Sequence, residues 1–230
     1  MTLRAIVTDI EGTTTDIHFV HRVLFPYAAE RLEGFIRQHG DEAEVAALLD
    51  QVREEIRQPQ ATAAALVDTL QQWIKLDLKL TPLKSLQGLI WREGYQQGHF
   101  TAHVYPEVAA ALRDWQRRGL ALYVYSSGSV EAQRLLFAHT QDGDLTPLFS
   151  GYFDTRIGAK RERSSYDRIA EQIGLAGDEI LFLSDVEAEL DAAAAAGFHT
   201  CLLLRDGANG SGHHPSAHDF EQIPLLQEQP

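Results

Sequence analysis

Only one cysteine stands in the 230-residue chain, Cys201, inside the apolar run Thr200-Cys201-Leu202-Leu203-Leu204. A lone thiol cannot close an internal disulfide, and in such a run it reads as a small buried hydrophobe rather than a nucleophile. Positive charge is also scarce, with 20 Lys and Arg against 33 Asp and Glu and a formal net charge of −13. That balance argues against general affinity for nucleic acid or an anionic membrane, because both need Lys and Arg to neutralise phosphates. A phosphate ester can still bind locally, through a metal ion or a few placed cations. No apolar run approaches the ~20 residues that span a bilayer, and no basic segment with an apolar core and small-residue cleavage site opens the chain. The expected location is cytoplasmic. What the chain does have is the ordinary balance of a globular protein, 44% hydrophobic and 23% charged, and enough length for one large domain or a domain with an insertion.

Short apolar runs each lead into polar chemistry and then into a helical pattern. They are Ala5–Thr8 before Asp9, Leu120–Tyr125 before Ser126-Ser127-Gly128-Ser129, and Ile180–Leu183 before Ser184-Asp185, with a fourth run at Thr200–Leu204. Apolar runs separated by helices predict an α/β fold, a Rossmann-like parallel sheet buried on both faces by helices. Ligands of such sheets bind beyond the carboxyl ends of the strands, where all three polar clusters fall. Residues 17–100 differ. Phe19–Ile36, Glu42–Arg57, Ala63–Leu78 and Pro82–Gln97 show helical spacing, as in Leu66, Leu70, Trp73 and Ile74, with breaks at Gly40, Pro59 and Thr81-Pro82. This block reads as a helical cap inserted into an α/β core made of residues 1–16 and 101–230, and a lid is its functional reading.

Asp9 and Glu11 lie two apart at a strand's end, so both project to one side as the chain turns at Gly12. Like charges that close repel unless a cation or proton sits between them. A phosphoryl-transfer site needs a nucleophile, a proton donor for the leaving oxygen, a metal, and donors for the phosphoryl oxygens. Asp9 suits the nucleophile, forming an aspartyl-phosphate, and Glu11 the acid/base. Asp185 offers a carboxylate to a hard cation such as Mg²⁺. Ser126 and Ser127 offer hydroxyl and backbone donors at a helix start, a helix whose first turn aims N–H groups at them. Lys160, in Ile157-Gly158-Ala159-Lys160, offers a point charge.

This order of elements resembles the haloacid dehalogenase-like superfamily of phosphohydrolases, whose first motif is usually Asp-x-Asp-Gly-Thr. Here Glu11 replaces the second aspartate. Asp-Ile-Glu-Gly-Thr-Thr, followed by Leu24-Phe25-Pro26-Tyr27, is similar to the first motif of the enolase-phosphatases of methionine salvage, a family also known as acireductone synthases. The similarity continues through Gly94–Gly98, Val104-Tyr105-Pro106, Tyr125–Gln133, Tyr152–Thr155 and Leu183–Val186. The resemblance implies an inserted cap and a monomer that acts on a small phosphorylated substrate, 2,3-diketo-5-methylthiopentyl-1-phosphate, by enolisation and then dephosphorylation. It also implies one Mg²⁺ per subunit held by Asp9, Glu11 and Asp185, with Glu11 using its side chain or its backbone carbonyl. Ser126, Ser127 and Lys160 are implied as the phosphate contacts, and Asp9, Glu11 and Lys160 as the catalytic set.

Other readings stay open beside this one. Another Mg²⁺-dependent phosphatase of the superfamily would share Asp9, Lys160 and Asp185. A dehalogenase has no use for an acid at Glu11, and a silent binding module has no reason to keep mutually repelling carboxylates. Glu189 lies one helical turn beyond Asp185, either a partner for Lys160 or a solvated helix face. His213, His214 and His218, in and after Gly-Ser-Gly-His-His-Pro, read as a flexible loop rather than a metal site.

Overall fold

A computed structural model of the protein describes residues 2–205, 210 and 212–225. Its elements run β1 (Ala5–Thr8), α1 (Ile17–Phe19), α2 (Phe25–His39), α3 (Ala43–Glu55), α4 (Ala63–Lys75), α5 (Thr81–Gln96), α6 (Val108–Arg117), β2 (Ala121–Tyr125), α7 (Val130–Ala138), β3 (Gly151–Phe153), α8 (Arg163–Ile173), β4 (Ile180–Ser184), α9 (Glu187–Ala195), β5 (His199–Leu203) and β6 (Ser216–Ala217). They divide into two compact units, Met1–Ile17 with Ala102–Pro230, and His18–Thr101.

In the first unit six strands form one parallel sheet, in the order β3-β2-β1-β4-β5-β6. β1 is entirely buried, and its four residues pair on both sides, Thr8 standing level with Val124 and with Leu183. That register brings Asp9, the end of β2 and the end of β4 to one sheet edge, at the point where strand order reverses. Beneath this edge, Tyr125, Tyr166 and Phe182 pack together. The Tyr125–Tyr166 centroids are 5.6 Å apart and the Tyr166–Phe182 centroids 5.1 Å, both edge-on. All three rings are fully buried, each worth about 1.5–3 kcal/mol by apolar burial.

Two strands were not evident in the sequence. β3 has three residues and β6 two, too short for any alternation of apolar and polar residues to show. β6 also overturns the flexible-loop reading of the tail. Leu202 N–H donates to the Pro215 carbonyl (2.8 Å) and Leu204 N–H to that of Ala217 (2.9 Å). His214 packs with its ring between Thr200 Oγ1 (2.9 Å) and Asp191 Oδ1 (3.1 Å). The tail is held because it completes the β5 ladder, a partner that local composition does not reveal. Ser211 of that stretch lies outside the described residues.

The second unit is built on α2, α3, α4 and α5, with its own core of Leu32, Val52, Leu66, Leu70, Leu83 and Leu86. Thr62 caps α4, its hydroxyl accepting the Ala65 N–H at 3.3 Å, and Pro82 opens α5. The segment expected as one helix over Phe19–Ile36 is instead α2 preceded by a π-helical turn, Val20–Leu24. Pro26 lacks the N–H that would bond the Arg22 carbonyl, so the ladder widens ahead of it and Phe25 N–H bonds the Val20 carbonyl. Among the described residues, no helix is long and apolar enough to cross a membrane.

Candidate active site

Asp9 follows β1 directly and is buried. Its backbone N–H continues the ladder to the Leu183 carbonyl (2.9 Å), which fixes the residue against β4. Its Oδ1 accepts the Ile10 N–H (2.7 Å) and receives the Lys160 ammonium at 2.7 Å. The same ammonium lies 2.6 Å from Glu189 Oε2, which also accepts from Ser184 Oγ at 3.0 Å. Burial draws the Lys160 pKa down, but the Asp9 and Glu189 carboxylates outweigh it and hold the amine above the ordinary lysine value. Burial and the nearby Asp9 charge raise the Glu189 pKa. Glu189 is therefore a partner of Lys160 and not a solvated helix face.

Lys160 sits in a loop without regular structure, so its carbonyls need other partners. Side chains supply them one after another. Arg168 donates to the Ile157 carbonyl, Tyr125 OH to that of Gly158 (3.0 Å), Ser165 Oγ to that of Ala159 (2.8 Å) and Tyr166 OH to that of Lys160 (2.7 Å). Gly158 has φ +143°, and a Cβ there would overlap Ser165 Oγ. The lysine is thus aimed by β2, remote from it in sequence, and by α8, which follows it almost at once.

Asp185 follows β4. Burial first, and then the Asp9 charge, push its carboxyl up to about 6 from 3.8. Thr13 holds it twice, accepting the Asp185 N–H at 3.1 Å and donating to Oδ1 at 3.4 Å. Gly12, at φ +76°, passes so close that a Cβ would overlap the Asp185 carboxylate. Glu11 is half-buried in the same turn, bridged to Thr15. Among the described residues, no three His, Cys, Asp or Glu side chains gather as a metal cluster.

Ser126 and Ser127 lie just past β2. Ser126 is buried, its hydroxyl accepting the Gly128 N–H (3.1 Å), while Ser127 is exposed. The expected aim of the first turn of α7 at these serines is only partly met. Ala132 N–H is taken by Ser129 Oγ (3.2 Å) and Val130 N–H by Asp154 Oδ2 (3.4 Å). Burial raises the Asp154 carboxyl, but its bonds with Arg156 outweigh this and leave it below the ordinary value.

Sequence reasoning missed three contributors. Thr13 belongs to a run of three fully buried threonines behind Gly12, a signal visible in the motif but assigned no role. Gln133 is buried under the serine loop and donates to the carbonyls of Gly128 (2.9 Å) and Phe153 (2.8 Å). Arg205 reaches back to the Thr13 carbonyl across 192 positions.

A description of the haloacid dehalogenase-like hydrolases matches residues 3–197 of the chain. The chain belongs to the haloacid dehalogenase-like hydrolases. This hydrolase is 61% identical over 97% of both chains to a Serratia proteamaculans protein named enolase-phosphatase E1, and 58% identical over the same share to one from Pectobacterium carotovorum. The solved UTR4 protein of Saccharomyces cerevisiae superposes on the hydrolase with a TM-score of 0.83 at 34% identity, covering 96% of this chain and 100% of its own.

Proposed function

We propose that this hydrolase is an enolase-phosphatase of methionine salvage. It enolises 2,3-diketo-5-methylthiopentyl-1-phosphate and then dephosphorylates it to the acireductone 1,2-dihydroxy-3-keto-5-methylthiopentene, acting as a monomer. The observation that carries the chemistry is the buried Asp9 carboxylate held 2.7 Å from Lys160 Nζ at a strand end. The choice of substrate rests on the relatives named enolase-phosphatase E1, which match 97% of the chain.

The donor set suits a hard divalent cation. Asp9 and Asp185 repel each other, and the Lys160 ammonium beside Asp9 is already shared with Glu189. Mg²⁺ would be held by the Asp9 and Asp185 carboxylates and the Glu11 backbone carbonyl, supplying charge neutralisation and Lewis acidity when bound. Asp9 Oδ1 accepts the Ile10 N–H and lies against the Lys160 ammonium, and Oδ2 is taken as the attacking oxygen. Oδ2 bonds to phosphorus as the bond from phosphorus to the ester oxygen breaks, and Glu11 gives that oxygen its proton. Water then attacks the aspartyl-phosphate, with Glu11 taking the proton, and Asp9 is regenerated. Lys160, with Ser126 and Ser127, offsets charge on the phosphoryl oxygens. In the enolisation step, which comes first, Glu11 removes the proton from the carbon beside the carbonyl, the C–H electron pair forms the enol double bond, the carbonyl oxygen takes a proton from water, and the protonated Glu11 is the acid for the ester oxygen.

Incubation of the diketo phosphate with and without Mg²⁺ tests the reading, following enol absorbance and released phosphate together. Both signals are expected with Mg²⁺. Absence of both defeats the assignment, and phosphate without enol points to another phosphatase of the superfamily. In the same assay Glu11→Gln is expected to lose enol formation, and undiminished enolisation removes Glu11 from that step.

A further inference from the structure

Arg205 follows β5, far in sequence from every residue assigned to catalysis, and its side chain is 10% exposed. Nη2 and Nε both donate to the Thr13 carbonyl, at 2.6 and 3.2 Å. Nη1 donates to Glu107 Oε1 at 2.6 Å and to the His218 carbonyl at 3.1 Å. The guanidinium carbon lies 3.9 Å from the Tyr105 ring centre and 5.5 Å from that of Phe220. Glu107 Oε1 also accepts the Phe220 N–H at 3.4 Å. The start of α6, the tail around Phe220 and the loop after β1 therefore meet on one planar cation.

A residue that only fastened the tail would need the His218, Phe220 and Glu107 contacts alone. Two of the four hydrogen bonds instead converge on one carbonyl of the loop that carries Asp9 and Glu11. The residue so gripped is Thr13, whose hydroxyl bonds both the N–H and the carboxylate of Asp185. Tyr105 N–H anchors the next carbonyl, that of Thr14, at 3.0 Å. A fixed fork is what this grip requires, because an ammonium is a point charge and cannot hold one carbonyl in a plane while pairing a carboxylate beside it.

We propose that Arg205, backed by Glu107, is a positioning residue for the cation site: through Thr13 it keeps the Asp185 carboxylate set beside Asp9. The inference rests on the Mg²⁺ reading above. The hydrogen bonds of Arg205 run to Thr13, Glu107 and His218 and not to the residues assigned to the phosphate, so its removal acts on cation affinity and leaves substrate affinity alone.

The test uses the full chain as Arg205→Lys, which keeps charge and loses the fork, and Glu107→Gln, which keeps shape and loses charge. Mg²⁺ is titrated calorimetrically without substrate, beside the melting temperature and, at several Mg²⁺ levels, kcat and KM. Mg²⁺ affinity is expected to fall about tenfold in both variants, within the range seen when partners behind metal ligands are removed. The kcat lost at low Mg²⁺ should return as Mg²⁺ is raised, with KM for the phosphate ester unchanged. Unaltered Mg²⁺ affinity overturns the proposal whatever the melting temperature does, because a tail fastener alone gives that result. Should Arg205→Lys fail to fold, the Glu107→Gln titration decides alone. A wild-type protein that takes up no Mg²⁺ defeats the metal reading itself, an outcome distinct from failure of the Arg205 inference.

Discussion

Replacing Lys160 by Met removes the one cation shared by two buried carboxylates while keeping most of the side-chain volume. Lys160 Nζ lies 2.7 Å from Asp9 Oδ1 and 2.6 Å from Glu189 Oε2, with side-chain exposures of 10%, 6% and 11%. At an effective dielectric of about 20, each contact has a gross attraction of roughly 6 kcal/mol. Desolvation of the three charges cancels much of it, and breaking a buried pair from one side costs about 3–5 kcal/mol net. For a chain of this size that is a melting-temperature drop of roughly 6–20 °C, provided the unfolding is cooperative. Loss of one electrostatic stabiliser of the transition state should lower kcat by about 10²–10³. Combining Lys160→Met with Glu189→Gln removes one of the two stranded carboxylates. The double variant should regain part of the stability and none of the activity. Calorimetric melting and phosphate release measure the two effects separately. A Lys160→Met protein within 1 kcal/mol of wild type that keeps more than a tenth of kcat would refute the reasoning, by showing that the three charges do not form one unit.

Further outcomes follow from the same geometry. Because the Asp185 carboxyl is raised from 3.8 to about 6, the metal-free protein carries a stabilisation that is full below 3.8 and is lost as pH rises through 6. Conversely, Mg²⁺ affinity should weaken about tenfold per pH unit below 6, where a proton competes for the carboxylate; calorimetric titration between pH 5 and 7.5 reads it, and a flat profile contradicts it. Gly12→Ala, at φ +76° with a Cβ overlapping the Asp185 carboxylate, should cost about 1–3 kcal/mol of backbone strain and abolish detectable Mg²⁺ heat; an intact isotherm shows that the turn can open. Gln133→Met strips hydrogen bonds from the Gly128 and Phe153 carbonyls, which should cost about 1–3 kcal/mol in chemical denaturation and raise KM for the phosphate ester; an unchanged KM frees the serine loop from Gln133.

The alternation of apolar runs with helical stripes was enough to predict a parallel α/β sheet, because a strand buried on both faces must be apolar throughout. The block after the first strand read as helical for the same kind of reason, since Leu66 and Leu70 keep one face. The candidate chemistry was legible wherever a motif packed its residues into a few consecutive positions, as in Asp9-Ile10-Glu11-Gly12 and Ser184-Asp185. Two-residue β6 left no pattern because two residues are too few to show an alternation, and the π-turn before Pro26 depends on one missing N–H.

Pairing across distance needed the fold. Local sequence could name Glu189 but could not choose between solvent and Lys160. The parallel register of β1 with β4, together with the carbonyl cradle built by Tyr125, Ser165, Tyr166 and Arg168, put the ammonium between two carboxylates. The grip of Arg205 on Thr13 crosses 192 positions, and no spacing rule reaches that far. The sequence by itself determined which groups are present and which strands carry them, since periodicity and motif spacing are local properties. Tertiary structure alone decided which charges touch, because burial and distance, which set the strength of every interaction in this site, exist only once the strands are paired.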